Sequence, residues 1–402
     1  MSRRILLADA DAFYVSVARL VDPEGAGKTP LLIVGGSPTG RGVVTSASYE
    51  ARAFGVHSAM PMARAIRLCP GATVVPVSWQ ACSEKSHQIR EVLKRFSPVV
   101  EAASIDEFYL DLSGTERLYN DEALEITARR MRKAVLEETR LSVSIGGGTS
   151  RVIAKMAAGI AKPGGVHVVP AGGEEAFMRR FALGDIPFVG KRFMERLGRY
   201  NLKTVPDALA AGQANLRAWL GEREGSWLWD RIRGVDSAVV VSGGDQKSIS
   251  RDETFPVDID DDELLKAELI RLVDRAAGDL REDDLLARTV TVRIRDHDFT
   301  DRQASRTLEG PVLSDRAILR VARELLLRLR KARPVPARLL GVALSSLVRE
   351  DGPAQLSLLP AASAGTTESE KDRAVARVVD KLREKLGDEA IALGRKPTHK
   401  RR

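Results

Sequence analysis

Short apolar segments that run directly into acidic residues constrain this chain more than any other feature. The segment Ile5-Leu6-Leu7-Ala8 is typical of a buried strand and leads to Asp9. Much later in the chain, Asp106 and Glu107 lie between two further strand-like segments. If these strands are neighbours in one sheet, the three carboxylates converge on one another.

Converging carboxylates need a compensating cation, because like charges repel one another at short range. Hard divalent cations such as Mg²⁺ prefer oxygen ligands, and a pair of such cations suits phosphoryl transfer. A single Asp or Glu is, however, most often an ordinary turn residue. The acidic pattern alone therefore leaves two alternatives, a metal-dependent phosphoryl-transfer site and a set of ordinary turns.

Strand-like and helix-like segments alternate through the first 170 residues of the chain. Strands that alternate with helices predict an α/β or α+β catalytic domain. The predicted strands are 5–8, 30–34, 42–46, 99–104, 108–112 and 141–145, and the predicted helices are 62–69, 83–96 and 122–139.

The remainder of the chain has a different organisation. Residues 174–235 predict short helices, and 186–197 is similar to a helix-hairpin-helix turn, although an ordinary glycine turn is favoured for this segment alone. After a linker at 239–245, three strands and two helices predict a small α+β domain. Residues 350–369 are expected to be disordered, with a short charged helix at 370–386. The predicted elements of the small domain are 247–255, 261–281, 287–295, 314–330 and 337–347.

The distribution of charge is more informative than the formal net charge of +8. Residues 288–349 contain 14 basic and 6 acidic side chains, a balance that suits contact with a phosphate backbone. The only two cysteines, Cys69 and Cys82, exclude a disulfide framework or a cysteine zinc site and favour a reducing cytoplasm. No apolar run reaches the roughly 18 residues that a membrane span needs.

Six short motifs occur in unbroken order between about residues 3 and 349. They are Asp9-Ala10-Asp11-Ala12-Phe13-Tyr14, Ser48-Tyr49-Glu50-Ala51-Arg52-Ala53-Phe54-Gly55-Val56, Ser104-Ile105-Asp106-Glu107-Phe108-Tyr109-Leu110-Asp111, Ala161-Lys162-Pro163-Gly164-Gly165 after Ala154-Lys155, Lys247-Ser248-Ile249-Ser250 before Glu253-Thr254-Phe255, and Leu339-Leu340-Gly341-Val342. These motifs resemble those of the Y-family, or translesion, DNA polymerases, in particular the bacterial branch of that family.

The resemblance implies a multidomain α+β fold, the right-hand polymerase. Such a fold has a palm, fingers and a helical thumb, together with an α+β little-finger domain. On this chain the implied domains are a palm at 1–11 and 77–168, fingers at 12–76, a helix-hairpin-helix-like thumb at 169–238, a little finger at 243–349 and a flexible tail at 350–402.

The resemblance also implies roles for individual residues. The catalytic acids Asp9, Asp106 and Glu107, with the carbonyl of Ala10, would hold two Mg²⁺ ions. Tyr14 would be the steric gate, whose ring leaves no room for the 2′-hydroxyl of an rNTP. The triphosphate of the incoming dNTP would be bound by Ser46, Tyr49, Arg52 and Lys162.

Two segments depart from the family pattern. The three glycines Gly146-Gly147-Gly148 predict unusual backbone flexibility, and Ser150 and Arg151 replace the usual Asn-Lys pair that follows. In the thumb turn, Phe188 replaces the first glycine, so the contact with the primer phosphate is expected to differ from that of the family.

The tail contains Gln355-Leu356-Ser357-Leu358-Leu359, which resembles the peptide Gln-Leu-x-Leu-Phe that binds the bacterial sliding clamp. The clamp-binding side chains would be Gln355, Leu356, Leu358 and Leu359.

Together these features predict a low-fidelity, template-directed DNA polymerase without proofreading. We expect a cytoplasmic monomer that binds primer–template DNA, dNTP and the sliding clamp, and no membrane. Two alternatives remain, a non-catalytic clamp-bound adaptor and a nuclease. The adaptor would be expected to lose the metal acids, and the nuclease needs neither a steric gate nor triphosphate contacts.

Overall fold

The computed structural model describes residues 2–244, 246–349, 368–387 and 390–391. The chain divides into two compact units, Met1–Gly244 and Asp245–Arg402. Within the described ranges, no helix is long and apolar enough to cross a membrane.

The first unit contains two sheets and a set of helices. Its strands are β1 (Ile5–Ala10), β2 (Leu32–Gly35), β3 (Val44–Ala47), β4 (Thr73–Val75), β5 (Val99–Ala102), β6 (Glu107–Asp111), β7 (Val143–Gly148) and β8 (Val166–Val168). Its α-helices are α1 (Phe13–Val21), α2 (Tyr49–Arg52), α3 (Met62–Leu68), α4 (Trp79–Lys94), α5 (Leu124–Thr139), α6 (Arg151–Ala161), α7 (Glu174–Met178), α8 (Lys191–Gly198), α9 (Val205–Leu220) and α10 (Glu222–Ile232).

The larger sheet has the strand order β5-β6-β1-β7-β8, with β1 antiparallel to both of its neighbours. Every residue of β1 is buried, because helices cover both faces of this strand. Leu6 and Ala8 share a core with α4 and α5, whereas Ile5 and Leu7 pack with α6. Burial on both faces explains why β1 is a continuous apolar run rather than an alternating pattern.

The triple glycine does not form the flexible segment that the sequence predicted. Gly146, Gly147 and Gly148 are buried residues of β7, and α6 packs directly on this strand. A Cβ atom on Gly146 would lie 2.0 Å from the nitrogen of Ala158 and 2.1 Å from the carbonyl oxygen of Ala154. The glycines therefore allow a helix to approach a strand more closely than any side chain would permit.

Ser150 and Arg151, which replace the Asn-Lys pair of the family, bind the C-terminal segment of the first unit. Ser150 caps α6 and donates a hydrogen bond to the carbonyl of Gly234 at 2.7 Å. Arg151 makes two hydrogen bonds to Glu101, at 2.6 and 2.7 Å, and a third to the carbonyl of Val239 at 2.9 Å. The segment after α10 is thus fastened along the larger sheet.

Two further cores complete the first unit. The smaller sheet, in the order β3-β2-β4, packs with α2 and α3 around a core that includes Ile33, Val44 and Met62. The helices from α7 to α10 pack with one side of α6 around another core, which includes Ile153, Leu197 and Leu228.

The second unit is a four-stranded antiparallel sheet covered on one face by two helices. Its elements are β9 (Ser248–Ile259), α11 (Asp262–Glu282), β10 (Leu285–Asp296), β11 (Asp301–Val312), α12 (Asp315–Ala332), β12 (Ala337–Arg349) and α13 (Glu370–Leu386), and the strand order is β11-β10-β12-β9. The sequence predicted only three strands and missed β11, because this mostly exposed strand has few apolar residues.

Part of the expected tail is the helix α13, which rests on the second unit. Asp380 accepts a hydrogen bond from Arg281 at 2.8 Å, and Arg383 donates two to Asp274, both at 2.9 Å. No described residue of α13 belongs to the hydrophobic core of the unit. Ala376 is nevertheless buried, so ion pairs together with packing at this one residue hold the helix in place.

Replacement of Gly146 by alanine tests the close approach of α6 to β7. Because the new methyl group would meet backbone atoms that cannot move aside, we expect a loss of about 3 kcal/mol of stability. Gly159, also in α6, has no atom within 4 Å of its Cβ position. Gly159→Ala should therefore stabilise the helix by about 1 kcal/mol. Urea unfolding of both variants checks this, and equal stability of Gly146→Ala and the parent would contradict the packing.

Candidate active site

The three acids singled out from the sequence lie on two neighbouring strands. Asp9 of β1 is paired in register with Glu107 of β6. The backbone N–H of Ala10 donates a hydrogen bond to the carbonyl of Asp106 at 2.9 Å. The strands are therefore adjacent, as convergence of these acids requires.

Two lysines, one within α6 and one directly after it, neutralise the acidic edge, the name used here for Asp9 and Glu107 at the ends of β1 and β6. Lys155 contacts Glu107 and lies 3.3 Å from Asp9, while the Nζ atom of Lys162 lies 2.6 Å from the other carboxylate oxygen of Asp9. Asp9 itself is only 4% exposed. A buried carboxylate needs such partners, because an unpaired charge is strongly disfavoured in the protein interior.

The charge of Lys155 is stabilised by its surroundings. Burial disfavours the ammonium form, but the hydrogen bond to Glu107 and the charges of Asp9 and Glu107 outweigh it, so the pKa of Lys155 is raised. The sequence assigned no role to Lys155 beyond its place in a motif. Its position near the middle of α6 becomes informative only when the helix is placed on the sheet.

Asp106 does not join Asp9 and Glu107 at a single point. Its carboxylate accepts a hydrogen bond from the hydroxyl of Ser104 at 2.6 Å. Across the described ranges, no three Asp, Glu, His or Cys side chains are grouped closely enough to hold a metal ion. The structure thus brings two of the three predicted metal acids together and leaves the third beside them.

The residues nevertheless fit a divalent cation. The carboxylates of Asp9 and Glu107 face positive charge at one point, the ammonium group of Lys155, which stands where a cation would compensate them. All the available donors are oxygens, which magnesium-like cations prefer.

The candidate triphosphate residues lie at the smaller sheet and at the end of α6. Ser46 is buried in β3, and Tyr49 and Arg52 lie on the short helix α2. The Nε atom of Arg52 donates to the carbonyl of Ala47 at 2.9 Å, and its guanidinium lies 5.0 Å from the centre of the Tyr49 ring. Lys162 is the residue already described beside Asp9.

The hydroxyl of Tyr49 remains protonated over the whole physiological range. Burial and the negative charge of Asp11 raise the pKa of Tyr49 to about 12. Tyr49 is therefore a hydrogen-bond donor, which is what an anionic triphosphate requires.

Tyr14 lies on the first turn of α1, beside the acidic edge. Burial and the charge of Asp106 raise its pKa. Its ring makes edge-on contacts with Phe13 and Trp79, with centroids 5.5 and 6.1 Å away. Trp79 is 64% exposed, and sequence reasoning missed it because nothing in the sequence links α4 to the start of α1.

A candidate nucleic-acid surface lies on the uncovered face of the second unit. Along β10, the buried Val290, Val292 and Ile294 alternate with Arg293 and Arg295, which lie on the opposite face. Hydroxyl groups of Thr289, Thr291, Ser305 and Thr307 also occupy this face. Arginine and hydroxyl side chains are the usual partners of DNA phosphates.

The predicted clamp-binding residues, Gln355 to Leu359, lie outside the described residues. In the thumb, the predicted turn leads into α8 after Gly190, and Phe188 is almost fully exposed with φ +72°.

Comparison with known proteins gives the family of the chain. A family model described as the impB/mucB/samB family matches residues 8–159, and one described as the C-terminal domain of that family matches residues 246–358. DNA polymerase IV of Alkalilimnicola ehrlichii is 36% identical over 346 residues, 86% of this chain and 96% of that protein. DNA polymerase IV of Dehalococcoides mccartyi is 35% identical over 393 residues, 98% of this chain and 97% of that protein.

Solved structures agree with this result at the level of the fold. A chimeric Y-family DNA polymerase has a TM-score of 0.77 and 23% identity, with 86% of this chain and 99% of that chain covered. The DinB protein of Sulfolobus solfataricus has a TM-score of 0.58 and 25% identity, with 85% and 98% covered.

The fold and the matches define a DNA-directed DNA polymerase of the translesion class, a nucleotidyltransferase of DNA repair. Within that class, the chain belongs to the impB/mucB/samB family. The expectation of a multidomain α+β polymerase is confirmed, and a non-catalytic adaptor is not favoured. Y-family polymerases use divalent metal ions.

Replacement of Lys155 by methionine tests the compensation of the acidic edge. The variant removes the ammonium group that pairs with Glu107, so we expect a loss of about 1–3 kcal/mol of stability in metal-free buffer. Because the pKa of Lys155 is raised on folding, its contribution is present below about pH 10 and is lost at higher pH.

The free energies of unfolding of the parent and of Lys155→Met should therefore differ at pH 8 and become equal in strong alkali. Lys28→Met, which removes an exposed pair with Glu24, serves as the control and should change little. A Lys155→Met protein as stable as the parent at pH 8 would show that the lysine is dispensable for folding.

Proposed function

We propose that Asp9, Asp106 and Glu107, with the carbonyl of Ala10, hold two Mg²⁺ ions for nucleotidyl transfer. The observation that carries this proposal is the pairing of Asp9, near the end of β1, with Glu107, the first residue of β6, compensated by Lys155 and Lys162. Asp106 directly precedes Glu107, and its backbone carbonyl accepts the N–H of Ala10, the residue after Asp9.

In the proposed reaction, the 3′-hydroxyl of the primer attacks the α-phosphate of the dNTP. A phosphorus–oxygen bond to the primer forms, the bond to the β-phosphate bridge breaks, and pyrophosphate leaves with that electron pair. Bound metal ions would stabilise the negative charge on the attacking and leaving oxygens. The hydroxyl proton passes to solvent.

The chain's own side chains orient the triphosphate. Tyr49 donates a hydrogen bond through a phenol that keeps its proton, and Arg52 and Lys162 supply positive charge. Ser46, which is buried in β3, would add a hydroxyl. Tyr14 lies under the sugar and excludes the 2′-hydroxyl by steric overlap.

The domain assignment proposed from the sequence places these residues at the meeting of palm and fingers. In that assignment the palm covers 1–11 and 77–168, the fingers 12–76 and the thumb 169–238. The little finger at 243–349 binds primer–template DNA through the arginine-bearing face of its sheet. The protein acts as a cytoplasmic monomer without proofreading, and its two cysteines are free thiols, as that compartment favours.

The tail residues Gln355, Leu356, Leu358 and Leu359 bind the sliding clamp. Such a contact raises the local concentration of the enzyme at primer ends without altering its active site. The support for this part is the motif itself and its position after the little finger.

Asp106→Ala tests the metal site. Loss of this ligand should reduce primer extension to less than about 1% of the parent rate, whereas DNA affinity depends mainly on phosphate contacts and should persist. Extension assays and fluorescence anisotropy measure the two quantities. Asp111→Ala, at the other end of β6, is the matched control and should remain active. Substantial extension by Asp106→Ala would remove this acid from the site.

Tyr14→Ala tests the steric gate. Without the ring, insertion of rNTPs should rise by about 100-fold or more relative to dNTPs, because the clash that rejects them is gone. Tyr14→Phe keeps the ring and should keep the selectivity. Single-nucleotide insertion kinetics with matched dNTP and rNTP provide the ratio, and an unchanged ratio in Tyr14→Ala would place the gate elsewhere.

A triple alanine variant of Gln355, Leu358 and Leu359 tests the clamp contact. It should lose stimulation by the sliding clamp and keep the parent rate of distributive extension, since the motif lies apart from the catalytic residues. Alanine at Ser363, Thr366 and Thr367 changes the same tail and is the control. If the first variant is still stimulated, the clamp contact lies elsewhere in the chain.

A further inference from the structure

Asp11 is a buried acid to which the proposed function gives no role. It follows the metal residues Asp9 and Ala10, is only 5% exposed, and has no lysine or arginine partner in the described part of the chain. A buried carboxylate without a cation must be stabilised by hydrogen-bond donors instead.

Four donors surround the Asp11 carboxylate, two at each oxygen. Oδ2 accepts from the hydroxyl of Ser142 at 2.7 Å and from the backbone N–H of Gly164 at 2.9 Å. Oδ1 accepts from the hydroxyl of Ser144 at 2.7 Å and lies 3.5 Å from the hydroxyl of Tyr49. Asp9 differs, because both of its oxygens face lysine ammonium groups.

These donors come from three separate parts of the first unit. Ser142 immediately precedes β7, Ser144 is its second residue, and Gly164 lies in the loop that follows α6. Tyr49 begins α2 beside the smaller sheet. A single carboxylate at the end of β1 therefore connects the central sheet with both places that carry proposed triphosphate residues.

The contact with Gly164 fixes the loop that carries Lys162. Gly164 has φ +65°, which favours glycine, and its N–H also points to the hydroxyl of Ser144 at 2.9 Å. On the other side, Lys162 is attached to the end of α6. The backbone of Lys162 is thus held between the helix and the Asp11 contact.

We propose that Asp11 is a positioning residue for dNTP binding, which orients Lys162 through Gly164 and holds the Tyr49 hydroxyl in place until its single O–H turns from Asp11 to the triphosphate. This inference rests on the proposed roles of Lys162 and Tyr49. It deepens them, because it explains how two residues from different elements are aligned on one triphosphate. Asp11 holds neither substrate nor metal, since its oxygens are already occupied by donors.

Substitution at Asp11 separates the two connections. An asparagine can keep its oxygen toward the N–H of Gly164, because the Ser144 hydroxyl can rotate to accept from the new NH₂ group. The second hydrogen of that NH₂ group faces the Tyr49 hydroxyl, which can only accept from it, so Asp11→Asn replaces the contact of Tyr49 with a charged carboxylate by a weaker neutral one. An alanine removes both connections and leaves the N–H of Gly164 with Ser144 alone.

The test is single-nucleotide insertion with purified full-length protein, measuring KM for dNTP, kcat and DNA affinity. We expect KM to rise about tenfold in Asp11→Ala and about threefold in Asp11→Asn, with kcat and DNA affinity changed less than about twofold. Asp111→Ala removes a carboxylate that accepts a backbone N–H at the far end of the same sheet and should keep the parent KM.

Double variants distinguish positioning from a general structural role. In a Lys162→Ala, Tyr49→Phe background, Asp11→Ala should add less than about twofold to KM, because the residues through which it acts are gone. Full additivity in that background would overturn the inference, as would a parent-like KM in both Asp11 variants. Thermal unfolding checks that each variant is folded, and if Asp11→Ala is not, Asp11→Asn with Tyr49→Phe gives the same comparison.

The outcome also separates this inference from the proposed function. If Lys162→Ala and Tyr49→Phe leave KM for dNTP unchanged, the proposed triphosphate site is wrong and the Asp11 inference falls with it. If those variants raise KM and the Asp11 variants do not, only the role of Asp11 is wrong.

Discussion

The neutralisation of buried acids at the end of β1 is the interaction on which the first unit depends. Asp9 is almost completely buried in the centre of a sheet, an arrangement that is unfavourable without compensating charge. Lys155 and Lys162 supply that charge from α6. The helix can deliver both lysines only because it lies close against β7.

Close packing, in turn, depends on Gly146, Gly147 and Gly148. Side chains at these positions would overlap the backbone of α6, or Leu6 and Ile153 around it. The same helix begins with Ser150 and Arg151, which hold the segment after α10. Residues 146–151 therefore allow α6 to pack on β7, bring the two lysines to Asp9, and bind the C-terminal segment of the first unit.

The two acids of the first motif illustrate how environment separates similar residues. Asp9 and Asp11 are two positions apart and equally buried, yet one faces cations and the other faces neutral donors. Asp9 faces ammonium groups, which metal ions can replace. Asp11 is saturated by hydrogen-bond donors and is suited to fixing a loop. The second unit uses charge differently, because ion pairs from Asp380 and Arg383 help to attach α13 to it.

The sequence by itself determined the family, long amphipathic helices such as α4 and α5, and most of the strands, but it did not predict α1 or α6, and it left the meeting of Asp9 with Glu107 conditional on their strands being neighbours. It could do so because apolar periodicity and ordered motifs are local signals. It missed β11, whose exposed residues lack that periodicity, and it misread the triple glycine, because close packing and flexibility look alike in a sequence. Tertiary structure alone decided the roles of Lys155 and Asp11, since most of their partners are distant in sequence, Asp9 146 positions from Lys155 and Ser142 131 positions from Asp11, and meet them only when α6, β1 and β7 are packed together.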